Sequence, residues 1–282
     1  MEFSISLAAE VERNVLAGLA EDIGNGDLTA LLTPGGHTAR GIVVSREDAV
    51  LCGTAWFDAC FLRLDPGARI AWKFRDGDRL SAGQTLCEIE AETRALLTAE
   101  RTALNFIQAL SGTATATRRY VDAIDGTRAR IVDTRKTVPG LRLAQKYAVR
   151  CGGGSNHRFG LYDGILIKEN HILAAGGITA ALTAARALGR GDVFIQVEVE
   201  TLEQLGEALD ASASLILLDN MDLDQMRQAV AMTNGRAQLE ASGGVRLDTV
   251  RAIAETGVDR ISIGCLTKDL HAIDLSLRHV ER

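Results

Sequence analysis

The segment DTRKTVPGLRLAQKYAVRCGGGSNHRFGLYDGILIKENH, residues 133–171, sets Arg135, Lys136, His157, Arg158 and Lys168 around the run Gly152-Gly153-Gly154. Each cation follows an apolar, strand-like run or sits in a glycine-rich turn, so the segment reads as a pocket for anions. Beyond Arg128 a strand, loop and helix alternate about six times. The strand runs are Ile131-Val132, Ile165–Ile167, Phe194–Val197, Leu215–Leu218, Gln238–Ala241 and Arg260–Ile263. Repeated units of this kind build a parallel sheet. An open doubly wound sheet and a barrel short of eight strands both fit this periodicity.

Parallel α/β folds bind ligands at the carboxyl ends of their strands. Here the six runs end, in order, in Asp133-Thr134-Arg135-Lys136, Lys168, Glu198, Asp219-Asn220, Ser242-Gly243-Gly244 and Gly264-Cys265. The cations suit an acid with more than one negative group. Glu198 and Asp219 are lone carboxylates at the ends of apolar strands, where an unpaired charge is costly. They are expected to meet sugar hydroxyls, Mg²⁺ or the nearby cations, against the plainer alternative of a structural ion pair. Ser242-Gly243-Gly244 and Gly264 offer bare main-chain N–H groups at helix starts, a common phosphate site, although glycines there also serve as plain tight turns. The triple glycine has neither the spacing of a dinucleotide fingerprint nor the Gly-Lys-Ser/Thr of a Walker loop. His37, His271 and His279 read as surface residues, and His171 stays ambiguous.

The N-terminal part has a different rhythm. Leu7, Val11, Val15 and Leu19 share one face of an amphipathic helix. Short strand-like runs follow at Gly41–Val44, Val50–Cys52, Arg69–Phe74 and Thr85–Ile89, with a short helix around Trp56–Leu62, which predicts a small open sheet. Asp76-Gly77-Asp78 imitates a calcium loop, but position six is Ser81 where that loop needs glycine, so a structural hairpin is expected. Thr93–Ile124 reads as helical, with Ser111-Gly112 breaking it in two. Arg101 on this stretch is, taken alone, an ordinary surface arginine.

The 282 residues are 46% hydrophobic, enough for a large core, and a net charge of -6 argues against nucleic acid as partner. The five cysteines, at 52, 60, 87, 151 and 265, form no Cys-x-x-Cys pair and fit reduced structural thiols. Acidic residues occupy the start, where a signal peptide would be basic, and no apolar run nears the roughly 20 residues of a membrane span. A cytoplasmic protein without membrane contact is expected.

Six ordered blocks then carry a resemblance: Thr134-Arg135-Lys136-Thr137-x-Pro139-Gly140, Gly152-Gly153-Gly154-x-Asn156-His157-Arg158, Leu166-Ile167-Lys168, Glu198-Val199-Glu200, Leu218-Asp219-Asn220 and Ser242-Gly243-Gly244. With Glu21–Gly24, Asp27–Thr29, Glu100-Arg101-x-Ala103-Leu104-Asn105 and Gly257–Asp259, the chain resembles the quinolinate phosphoribosyltransferase family over nearly its whole length.

The resemblance implies an incomplete, TIM-like α/β barrel carrying an N-terminal open-sheet α+β domain. It divides the chain into residues 1–110, the barrel at 111–267, and a C-terminal helix at 268–282 packing back on the N-terminal domain. It also implies a homodimer whose sites lie at the subunit interface. On that reading Arg135, His157, Arg158 and Lys168, with Arg101 from the neighbouring subunit, hold the two carboxylates of quinolinate. Thr134 and Lys136 line the shared space, with Lys136, Lys168, Glu198 and Asp219 catalytic. Ser242, Gly243, Gly244, Ile263, Gly264 and Cys265 receive the 5-phosphate of phosphoribosyl pyrophosphate, and Mg²⁺ accompanies that substrate, with Glu198 and Asp219 as candidate ligands. Val138, Ser155, Glu169 and Cys265 depart mildly from the family pattern, and Cys265 bears on the phosphate loop. Two rivals share the fold: a molybdenum-transport-linked paralogue, and a non-catalytic sensor of an anionic metabolite.

Overall fold

The computed structural model describes residues 7–280. They fall into two compact units, one within Met1–Arg118, Thr137–Gly153 and Thr267–Arg282, the other Arg119–Lys136 with Gly154–Leu266.

In the first unit, α1 (Leu7–Ile23) buries Val11, Val15 and Leu19, as their four-residue spacing requires. It also buries Asn14, whose Oδ1 accepts the indole N–H of Trp56 at 3.0 Å. Then come β1 (Thr38–Ser45), β2 (Ala49–Val50), α2 (Thr54–Leu64), β3 (Arg69–Trp72), β4 (Arg79–Leu80) and β5 (Thr85–Glu92). Strands β1, β5 and β3 are antiparallel neighbours, and β4 pairs with β2 rather than closing a hairpin with its neighbours. Asp76 is structural: its carboxylate accepts the main-chain N–H groups of Gly53 (3.1 Å) and Thr54 (3.2 Å) at the start of α2, and the Tyr147 hydroxyl at 2.8 Å. Cys52 and Cys151 place their sulfurs within 4.8 Å of each other and of Asp76. That carboxylate is already engaged on both oxygens.

Helix α3 (Thr93–Ala123) runs unbroken through Ser111-Gly112, correcting the expected break. Ser111 is buried; its hydroxyl accepts from the Cys52 N–H at 2.9 Å and donates to the Cys52 carbonyl at 3.1 Å. A Cβ on Gly112 would overlap the carbonyl of His271. The pair marks a close approach of backbones, which needs small residues as much as a helix break does.

The second unit opens with β6 (Arg130–Val132), and α4 (Arg142–Cys151) follows as part of the first unit. The rest alternates: β7 (Gly164–Ile167), α5 (Glu169–Ala175), α6 (Ile178–Ala187), β8 (Phe194–Val199), α7 (Leu202–Asp210), β9 (Leu215–Asp219), α8 (Leu223–Thr233), β10 (Gln238–Ser242), α9 (Val250–Ala254), β11 (Arg260–Ser262) and α10 (Cys265–Lys268). The sheet is parallel with order β6-β11-β10-β9-β8-β7. From β7 to β11 successive strands are neighbours, and the last pairs with the first. That is the path of a barrel; a doubly wound sheet would reverse strand order at its middle. Between β6 and β7 closure is partial, with a single parallel bridge from Val132 to Ser155.

The chain end corrects a second expectation. Residues Leu275–Val280 form β12, antiparallel to β1 with Val43 opposite Leu277, and no helix occupies the described part of 268–282 beyond the end of α10. Leu275 is buried while His279 and Val280 are exposed, and the open edge of β1 provides main-chain partners that a helix there would leave unpaired.

Candidate active site

The expected site residues from Thr134 to Cys265 all lie in the second unit; His157 and Arg158 stand in the segment leading into β7, and the others at or just beyond the carboxyl ends of its strands. Past β6 the buried Asp133 organises the segment leading to β7. Its two oxygens accept the Asn156 side-chain N–H at 2.6 Å and the His157 main-chain N–H at 2.9 Å. Ser155 donates to the Ile131 carbonyl at 2.8 Å, so residues 155–157 run alongside β6. Asp163 gathers the next turn by accepting the N–H groups of Phe159 and Gly160, both at 2.8 Å. These anchors hold Arg158, which is 9% exposed and donates through Nη1 to the Gly164 carbonyl at 2.9 Å. Burial, and then the like charge of Arg135, lower the pKa of Arg158. A buried guanidinium beside another cation favours an anion as partner.

Across the ends of β7, β8 and β9 stand Lys168, Glu198 and Asp219, one cation beside two carboxylates. Lys168 Nζ donates to Glu198 Oε2 at 2.7 Å. Asp219, after β9, has its pKa raised by burial and by the negative charge of Glu198, against the opposing pull of Lys168, Asn220 and Lys136. Glu198, Asp219, Lys168 and Lys136 therefore form one electrostatic group. Asn220 stands at φ +54 and donates to Asp219 Oδ2 at 2.8 Å, while its own N–H meets the Ser242 carbonyl at 2.9 Å. A Cβ at Gly264 would lie 3.1 Å from Cδ of Lys136 and 3.7 Å from Oγ1 of Thr134, so the last strand end adjoins the first.

Gly243 and Gly244 are exposed at φ +101 and +60, with Ser242 partly buried before them. Ile263 is core, 1% exposed, and offers only its main chain, whose N–H already reaches the Val132 carbonyl at 2.9 Å. The sulfur of Cys265 lies 3.4 Å from the Tyr120 hydroxyl. His171 accepts the Lys168 N–H on Nδ1 at 3.1 Å, so it caps the start of α5. Arg101 is exposed on α3, within the first unit. A cavity of 350 Å³ beside β7 and α6, lined by Leu161, Ile165, Ile167, Ala181 and Ala185, touches Arg158 and His171 but none of the other strand-end charges.

Gln196 and Glu240, both fully buried, escaped the sequence reading. Each precedes a strand-end residue by two positions, Glu198 and Ser242, so alternation along a strand was the signal available.

Models of the N-terminal and C-terminal domains of quinolinate phosphoribosyl transferase match residues 27–111 and 113–278. The chain belongs to the quinolinate phosphoribosyltransferase family. It is 44% identical to a probable nicotinate-nucleotide pyrophosphorylase [carboxylating] of Bacillus subtilis, over 91% of this chain and 89% of that one. It is 45% identical to the nicotinate-nucleotide pyrophosphorylase [carboxylating] of Mycobacterium leprae, over 92% and 93%. The solved nicotinate-nucleotide pyrophosphorylase of Francisella tularensis superposes with a TM-score of 0.95 at 44% identity, covering 98% of both chains. No described helix is long and apolar enough to cross a membrane.

Proposed function

We propose that this phosphoribosyltransferase joins the ribosyl group of phosphoribosyl pyrophosphate to the ring nitrogen of quinolinate and removes the adjacent carboxylate, giving nicotinate mononucleotide, pyrophosphate and CO₂. The observation that carries the reading is the largely buried Arg158 guanidinium, held on the Gly164 carbonyl and disfavoured as a cation by burial and by the like charge of Arg135, a cost that a dianionic pyridine acid offsets. Arg135 and Arg158 take the carboxylates, with Lys168 and Lys136 beside the reacting centre. Thr134 lines the shared space, and Ser242–Gly244 with Gly264 and Cys265 receive the 5-phosphate on main-chain N–H groups. The active form is a homodimer, Arg101 reaching the neighbouring subunit's site, and the enzyme is cytoplasmic.

Mg²⁺ fits the donor set: Glu198 and Asp219 are two hard oxygen donors, and Asp219 is pushed up partly by its neighbour's charge, which a cation offsets. Bound there with the pyrophosphate substrate, the ion would draw negative charge from the leaving group.

As the bond from the anomeric carbon to pyrophosphate breaks, positive charge develops on the ribose, which the carboxylates of Glu198 and Asp219 would stabilise. The ring nitrogen, held by its two carboxylates, forms the new C–N bond. The alkylated ring then accepts the electron pair released with CO₂. The resulting carbanion lies next to a cationic nitrogen, near Lys136 and Lys168, until a proton replaces the carboxylate.

Chromatography of quinolinate, phosphoribosyl pyrophosphate, Mg²⁺ and enzyme should show nicotinate mononucleotide. Nicotinate in place of quinolinate should lower kcat/KM by about 100-fold or more, because a missing carboxylate leaves buried donors unpaired. Comparable turnover of both acids would sink the substrate reading.

A further inference from the structure

One layer beneath the strand-end charges, the second unit holds His157, Gln196 and Glu240, exposed by 7%, 0% and 0%. The proton on the imidazole can be placed from its partners. The Arg158 main-chain N–H donates to His157 Nδ1 at 2.8 Å, so Nδ1 carries a lone pair. A neutral ring then has its proton on Nε2, which lies 2.7 Å from Gln196 Oε1, an acceptor. Turning the Gln196 amide over would ask both ring nitrogens to accept, which an imidazole cannot do, so the ring also sets the amide.

The charged groups around the ring are Asp133, which takes the main-chain N–H of His157, Arg158 beside it, and Glu240 with Arg260 opposite. Glu240 Oε1 is 3.7 Å from Nε2 and favours a cation; its other oxygen is 3.1 Å from Arg260 Nε, which offsets that pull. A proton on Nδ1 would face the Arg158 N–H head on. That contact favours the neutral ring.

Both ring nitrogens are thus engaged within the protein, and His157 has no N–H left for a substrate carboxylate. We propose that Gln196 is a positioning residue for quinolinate: its side-chain oxygen holds His157 as the neutral, Nε2-protonated tautomer, and the ring through Nδ1 holds the Arg158 main chain, which aims the guanidinium. The proposal rests on the reading of Arg158 as a carboxylate binder. Gln196 Nε2 has no hydrogen-bond partner among the described residues, a cost an apolar residue of that size would avoid, so its oxygen is what the position uses.

The test uses the full chain. Histidine ring ¹⁵N spectra of the wild type at neutral pH should show Nε2 protonated and Nδ1 bare for His157, assigned with His157→Gln. Gln196→Met should raise the KM for quinolinate about tenfold, a lost buried hydrogen bond, with the KM for phosphoribosyl pyrophosphate unchanged. A wild-type ring that is cationic or protonated on Nδ1 overturns the proposal, as does a Gln196→Met enzyme whose two KM values move together or not at all. If the wild type fails to turn over quinolinate, the functional reading falls and the ring spectrum alone decides the tautomer.

Discussion

Replacing Gly243 and Gly244 singly by alanine separates backbone conformation from steric fit in the proposed phosphate loop. Both glycines have positive φ, +101 and +60, and for an L-residue that region costs about 1–2 kcal/mol. Their surroundings differ: a Cβ at Gly244 meets nothing within 4 Å, whereas one at Gly243 overlaps the Oδ1 of Asn220. Forcing an atom into occupied space costs a further ~1–3 kcal/mol. Gly244→Ala should therefore lose about 1–2 kcal/mol, and Gly243→Ala about 2–5 kcal/mol. Against a total stability on the order of 10 kcal/mol, urea unfolding resolves that difference as a shift in midpoint. The clash has a kinetic consequence too, since displacing Asn220 breaks its 2.8 Å bond to Asp219 Oδ2. kcat/KM for phosphoribosyl pyrophosphate should fall further in Gly243→Ala than in Gly244→Ala. Two variants of equal stability and equal kinetics would refute the argument.

Asp219→Asn should cost activity and gain stability. The folded pKa of Asp219 is raised, so the carboxylate favours the fold below its unfolded pKa and that contribution is lost as pH rises through the folded one; the Asn variant's Tm should match wild type at acid pH and exceed it at neutral pH, while kcat falls about 100-fold. For the proposed dimer, Arg101→Ala and Lys168→Ala should each be nearly inactive, and mixing them should restore about a quarter of wild-type sites, since half the dimers are mixed with one intact site each. Subunit exchange confirmed by mass without recovered turnover places Arg101 in its own protomer's site or in none. Cys151, partly exposed and lowered in pKa chiefly by a hydrogen bond from Cys52, should alkylate before Cys60, which burial pushes up to about 12. Peptide mass spectrometry after brief iodoacetamide treatment checks the order.

The strands of the second unit were legible because each is a short apolar run closed by a polar cluster, and ligand groups at carboxyl ends follow from the parallel fold. Barrel closure was not. Strands buried on both faces carry no alternation that shows curvature, and closure depends on β11 pairing with β6, a contact between residues about 130 positions apart in the chain. Ser111-Gly112 misled for a related reason: a small pair in a helical run signals either a break or a close neighbour, and only the neighbour, Cys52 on one side and His271 on the other, decides between them.

The two histidines of the deciding segment show where residue type stops being informative. His157 and His171 each follow an asparagine, 14 residues apart; the sequence placed His157 in the anion pocket and left His171 ambiguous. In the structure each ring accepts a main-chain N–H on Nδ1, His157 from the residue after it and His171 from the start of its own helix. The difference lies in the other ring nitrogen. At His157, Nε2 meets Gln196 on β8 in the interior while Nδ1 holds the Arg158 main chain, so the two bonds together fix the tautomer. His171 is exposed on α5, and among the described residues no hydrogen bond engages its second nitrogen. A histidine's chemistry is decided by what its second nitrogen meets, and here that is a glutamine 39 residues away.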